Sequence, residues 1–267
     1  MFVTTMGAPE ARVDVSTDEL LIKAAIDLDR ARIPSVQPIA EVHRSKLATI
    51  ERPRDLAQYI EHTALKPDAT RHTIVKLCEE ATRLGFRGAC VNPVYVAEAK
   101  EQLGGSGRAV VTVVGFPLGA NLSKTKAAET RAVIENGADE VDMVISVGAL
   151  KAGEYETVFT DIRAVVEAAG RVPVKAILET VLLDEYQKVL GCLLAERAGA
   201  AFVKTSTGFA AGGATVEDVA LMRRVLNERV GIKAAGGIKD FQMARAMIMA
   251  GADRLGCSAS VAIVTES

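Results

Sequence analysis

The chain of 267 residues is 49% hydrophobic and 25% charged, enough apolar material for one full core and too much for a disordered protein. Its formal charge of −2 lacks the basic excess of a nucleic-acid binder, and no run has the length and apolarity of a membrane span, so neither partner is expected. Cys78, Cys90, Cys192 and Cys257 are widely spaced without a CxxC pair, and read as reduced, mostly buried thiols of a cytoplasmic protein.

The first fifty or so residues differ from the rest. The N-terminal twenty have acidic residues and no apolar stretch, unlike a secretory signal. A helix is predicted over Thr17–Arg32, opened by Ser16 or Thr17 with Glu19 in its first turn. A polar, proline-marked stretch follows from Ile33 to Pro53, with at most a short helix. Residues 1–53 therefore read as an N-terminal helical extension, packed on the core or on a neighbouring subunit.

From Arg54 the chain alternates short apolar runs with longer amphipathic ones. Strands are predicted at His62–Leu65, Gly88–Val91, Ala109–Val114, Glu140–Val144, Val174–Leu178, Ala201–Lys204, Ile232–Ala235 and Arg254–Leu255. Helices are predicted to begin near Thr70, Pro93, Ser123, Gly153, Asp184, Thr215, Asp240 and Ser258. Eight strands each followed by a helix is the count of an α/β (β/α)8 TIM barrel over residues 54–267. Because the first and last strands are very short, the count alone leaves a doubly wound sheet open. A repeated unit supports the alternation: NGADEVDMV, AGAAFVKTS and AGADRLGCS each place a helix-ending glycine (Gly137, Gly199, Gly251) before a strand, and Gly85 is a looser fourth copy.

Parallel strands bring their C-terminal ends to one face, where barrels place catalytic groups. Asp142, Lys175, Glu179, Lys204 and Lys233 interrupt otherwise apolar strands there, a high count for structural roles alone. Lys204 in FVKTSTGF ends a strand and opens a glycine loop. Burial and a second ammonium, with Lys233 one strand further on, would lower its pKa and free an amine to attack a carbonyl. Asp142 would pass protons. For Lys175 the simpler reading is an ion pair with Asp142 or Glu179. Glycine-containing loops follow three successive strands: Thr205 to Gly208, Gly236–Gly237, and Gly256–Cys257–Ser258. Their backbone N–H groups suit an anion, and so a phosphorylated small molecule. GFPLGANLSKTK reads equally as a substrate-facing or a structural loop, with Ser123 or Thr125 opening a helix. Cys90 either faces the pocket or packs at a strand end. The histidines show no metal-ligand spacing, and the absence of GxGxxG and GxxxxGK[ST] weighs against a nucleotide cofactor.

HTALKPDAT, ACVNPVYV, VVGFPLGA, EVDMV, KAILET, FVKTSTGF, KAAGGI and RLGCSAS, in this order from about Tyr59 to Ala259, resemble the deoxyribose-phosphate aldolase (DeoC) family. The resemblance implies a TIM barrel and a class I aldolase that needs no metal or cofactor. Its substrate would be 2-deoxy-D-ribose 5-phosphate, cleaved reversibly to acetaldehyde and D-glyceraldehyde 3-phosphate. It further implies Lys204 as the imine-forming amine, Lys233 as the neighbour that depresses its pKa, and Asp142 as the proton relay. Gly208, Gly236, Gly237, Gly256 and Ser258 would hold the phosphate, and Thr205 would shape the deoxy pocket. A cytoplasmic homodimer or homotetramer of deoxynucleoside catabolism would be the setting.

The chain departs from the family pattern in places. Glu61 precedes His62-Thr63 where many relatives have Asp, and Ser146 replaces a common Asn. Gly256-Cys257-Ser258-Ala259-Ser260 replaces GTSSG, and the chain ends Thr265-Glu266-Ser267 without the tyrosine seen in some members. Two other readings remain at this level: a Schiff-base lyase for a related sugar phosphate, and a silent sugar-phosphate-binding barrel. The joint presence of Lys204, Lys233 and Asp142 argues against the second.

Overall fold

The computed structural model describes residues 16–36 and 50–265. Eight parallel strands close a barrel in chain order: β1 (Ile60–Ala64), β2 (Gly88–Val91), β3 (Ala109–Val114), β4 (Glu140–Val144), β5 (Val174–Ile177), β6 (Phe202–Lys204), β7 (Gly231–Ala235) and β8 (Arg254–Cys257). β8 returns to β1 through Ile60–Leu255, Glu61–Gly256 and His62–Cys257. That closure removes the doubly wound alternative. Around it run α2 (Arg71–Leu84), α3 (Val96–Leu103), α4 (Ser123–Glu135), α5 (Val147–Lys151), α6 (Tyr155–Ala169), α7 (Glu185–Arg197), α8 (Val216–Val225), α9 (Phe241–Met249) and α10 (Ser260–Thr265), while α1 (Thr17–Arg30) lies ahead of the barrel in sequence.

The two-residue period of each strand decides which side chains face the helices. Val141 and Met143, Val174 and Ala176, Val203, and Ile232 and Ala234 join the apolar layer between strands and helices. The alternate positions, Asp142, Lys175, Lys204 and Lys233, then turn into the barrel. At β2 and β3 the interior is apolar, with Cys90, Val111 and Val113 joining Leu65 in a small separate cluster. The buried charges come from β1 and from β4 to β7.

Boundaries differ from the sequence expectation by up to three residues for local reasons. Ser16 caps α1 in a reciprocal box with Glu19, but the helix stops at Arg30, and Arg32 turns to φ 56°. Pro93 opens a 3-10 turn, so α3 starts at Val96. Thr70, Asp184, Thr215 and Asp240 act as N-caps, one residue before their helices. The single-turn helix α5 is too short to leave a periodic signal. α10 starts at Ser260 rather than Ser258, which leaves Ser258 in the loop after β8. Any short helix within residues 37–49 lies outside the described residues.

The extension packs on its own chain. Ala24 and Leu28 are buried, and α1 lies against α7. The Tyr186 hydroxyl donates to Asp27, and the Arg197 guanidinium donates to the Ile33 carbonyl at 2.9 Å and pairs with Asp29 at 2.8 Å.

Candidate active site

Strand register brings the inward charges together. Asp142 pairs in register with Lys175, and Lys204 with Lys233, so each pair starts level on adjacent strands. Asp142 then receives all three lysines: Lys204 Nζ at 2.8 Å and Lys233 Nζ at 2.6 Å on Oδ2, and Lys175 Nζ at 2.9 Å on Oδ1. Lys233 also donates to Glu61, and Lys175 approaches Glu140 at 2.7 Å and Glu61 at 3.4 Å. Three ammonium positions and three carboxylates thus form one web, all of it nearly or fully removed from water. Charges buried this deeply persist only when paired.

The pairing is unequal, and that sets the protonation states. Burial disfavours the charged form of Lys204, the Asp142 carboxylate opposes this, and the Lys233 ammonium adds to the depression, leaving its pKa lowered. The carboxylate that would hold its proton is shared with two other cations. Burial also works against Lys233, but Asp142 and Glu61 outweigh it and hold the ammonium well above the usual range. Lys175 is raised in the same way, by Asp142, Glu140 and Glu61 against its burial. Asp142 is held well below the usual carboxylate range: Lys175, Lys204 and Lys233 overcome its burial.

Lys204 is the member of the web that reaches a cavity of about 510 Å³ at the C-terminal ends of the strands. Gly208, Gly236, Gly237, Gly256 and Ser258 line the same cavity, as do Thr207 and Phe209. Gly208, Gly236 and Gly237 sit at φ +83°, +89° and +77°, which favours glycine. Gly256 is needed for space instead: a Cβ there would lie 3.0 Å from the Lys233 Cε.

Other expected residues stand elsewhere. The Thr205 hydroxyl is buried and bridges to the Ala235 backbone, with 3.1 Å to both its carbonyl and its amide, so Thr205 ties β6 to β7 and does not line the cavity. Cys90 is fully buried beside Val111 and Val113, and burial raises its thiol pKa. Lys175 pairs with Asp142 as expected but not with Glu179, whose carboxylate turns to Thr207. Cys257 does line the cavity, and burial pushes its thiol up to about 12, which keeps it neutral. Within GFPLGANLSKTK, Phe116 meets Phe209 edge-on at 5.2 Å. Lys126 is fully buried, donating to the Val144 carbonyl at 2.8 Å and to Asp161 at 2.6 Å.

Sequence reasoning missed Glu61 and Glu140 as members of the web. Glu61 was lost because the first strand was expected to start at His62, one residue too late to count Glu61 among the inward positions. Glu140 carried a usable signal, since it lies two residues before Asp142 and so on the same side of the strand.

The sequence pattern of the DeoC/LacD family aldolases matches residues 56–263. The chain is 57% identical over 211 residues to a deoxyribose-phosphate aldolase of Brevibacillus brevis, a match covering 79% of this chain and 96% of that relative. Among solved structures, that of a candidate deoxyribose-phosphate aldolase from Coccidioides immitis gives a TM-score of 0.80 at 38% identity, over 95% of this chain and 98% of the other. A deoxyribose phosphate aldolase from Aeropyrum pernix, described as having a unique tetrameric structure, gives 0.74 at 31% identity, over 94% and 97%. The closed parallel barrel, the buried lysine web and these matches lead to one assignment: the chain is an aldolase and belongs to the DeoC/LacD family.

Proposed function

We propose that the chain is a class I aldolase that cleaves 2-deoxy-D-ribose 5-phosphate reversibly to acetaldehyde and D-glyceraldehyde 3-phosphate, with Lys204 forming the Schiff base. One observation carries this reading: of the three lysines in the web, the one whose pKa is lowered is also the one that opens into the cavity walled by glycine loops. The neutral Lys204 amine attacks C1 of the open-chain sugar and gives a carbinolamine, which takes up a proton and loses water to an iminium ion. The C3 hydroxyl then gives up its proton as the C2–C3 bond breaks, releasing D-glyceraldehyde 3-phosphate and leaving an enamine on Lys204. Protonation at C2 and hydrolysis release acetaldehyde and restore the amine.

Asp142, 2.8 Å from the Lys204 Nζ, serves as the proton relay, and Lys233 keeps that carboxylate ionised while disfavouring a second ammonium beside it. The phosphate rests on the amides around Gly208, Gly236, Gly237, Gly256 and Ser258. We extend the reading to a cytoplasmic homodimer or homotetramer. Support comes from four free, buried cysteines and from the tetrameric Aeropyrum relative.

Intact mass after incubation with 2-deoxyribose 5-phosphate and borohydride, followed by peptide mapping, tests the chemistry. The expected result is a reduced adduct on the Lys204 peptide, with none in Lys204→Arg, whose guanidinium stays protonated and cannot form the imine. Turnover close to wild type in Lys204→Arg would refute the assignment.

A further inference from the structure

Glu179 is unusual in three respects. It is a non-glycine residue held at φ 57°, ψ 63°, a left-handed conformation that a side chain resists and that the surroundings must enforce. The residue is 4% exposed, and no ion pair to its carboxylate is found among the described residues. The carboxylate's hydrogen bonds all go to one loop residue. The Thr207 amide lies 3.3 Å from each carboxylate oxygen, and the Thr207 hydroxyl donates to Oε2.

The polarity of this arrangement is what matters. The Thr207 hydroxyl donates its single proton to the Glu179 carboxyl group and has none for another acceptor. The lone pairs of that hydroxyl then accept the Phe209 amide, at 3.1 Å. The amides on both sides of Gly208 are thereby occupied, while the Gly208 amide has no hydrogen-bond partner among the described residues, and Gly208 lines the cavity. The loop has no slack to reach this state another way. A Cβ on Gly212 would lie 2.6 Å from Val181 in the turn after Glu179, and one on Gly213 would lie 2.2 Å from the Gly236 carbonyl oxygen.

We propose that Glu179 is a positioning residue that fixes the direction of the Thr207 hydroxyl and so presents the Gly208 amide to the substrate phosphate, making it a determinant of the preference for phosphorylated substrates. This rests on the phosphate reading given above. The part Glu179 plays is to accept from both the Thr207 amide and the Thr207 hydroxyl.

The test is the ratio of kcat/KM for 2-deoxyribose 5-phosphate to that for 2-deoxyribose, with inorganic phosphate as an inhibitor. In Glu179→Gln the ratio should fall about tenfold through KM of the phosphorylated substrate, and phosphate inhibition should weaken in parallel. Thr207→Val should lose a similar factor, Thr207→Ser should restore it, and the double variant Glu179→Gln/Thr207→Val should lose no more than either alone. If Glu179→Gln does not fold, Glu179→Gly accommodates the positive φ without the carboxylate and should show the same lowered ratio. An unchanged ratio, or an equal loss on both substrates, would overturn the proposal. A wild-type ratio near one would refute the phosphate reading itself, and this inference with it.

Discussion

At the residue scale, one carboxylate governs three lysines, and the sign of each shift follows from who shares it. Replacing Lys233 by methionine removes a cation that depresses Lys204 and returns part of Asp142 to it. Both changes raise the Lys204 pKa. The acid limb of the kcat/KM profile should therefore move up by about one pH unit or more, and turnover near neutrality should fall about tenfold. A pH–rate profile of Lys233→Met checks this, and a downward shift would contradict the sharing argument. Lys204 itself was legible in the sequence because a lysine closing an apolar strand before a glycine loop is rarely idle. Thr205 and Cys90 misled because adjacency along the chain does not fix direction. Thr205 follows Lys204 and so turns away from it, and Cys90 faces the apolar half of the interior.

At the element scale, the loop between β3 and α4 is pinned from below. Glu129 accepts the Gly115 amide at 2.8 Å, and Lys126 ties α4 to the end of β4 and to Asp161 of α6. Neither Lys126 nor Asp161 has useful access to water. Lys126→Met should cost about 3–5 kcal/mol, because Asp161 is left as an unpaired buried charge, and Lys126→Met/Asp161→Leu should recover much of that loss. Urea unfolding of the two variants measures both numbers; equal losses would show that the pair is not coupled. This contact could not be read from the sequence. Lys126 and Asp161 are 35 residues apart on two amphipathic helices, and each looks there like an ordinary solvent-facing charge. The helix starts were legible, because Thr70, Asp184, Thr215 and Asp240 announce themselves as caps. The five-residue α5 has too few turns for a period to emerge.

At the scale of the whole molecule, the web links stability to pH. Asp142 is lowered from an ordinary value of 3.8, so its contribution is full above that pH and is lost as pH falls through the folded-state value. Lys175 and Lys233 are raised from 10.5, so theirs is full below that pH and is lost as pH rises through the folded-state values. Lys204 has the opposite sign, and its burial weighs less on folding as pH rises from its lowered value toward 10.5. Stability to urea should therefore decline at both extremes, and Asp142→Asn should lose the acid dependence. An acid limb unchanged in that variant would place the titration elsewhere. The barrel itself was legible from eight alternations and recurring glycine caps, whereas closure between β8 and β1 is a contact between distant segments that no local pattern records.

The six buried groups also have a bearing on the reaction path. Asp142 is shared by three ammonium groups when Lys204 is protonated, and by two once Lys204 is a free amine. On the proposed pathway, imine formation and protonation of the imine put a positive charge back at the Lys204 nitrogen. The Asp142 carboxylate, 2.8 Å from that nitrogen, is therefore already in place to hold the cation with little reorganisation.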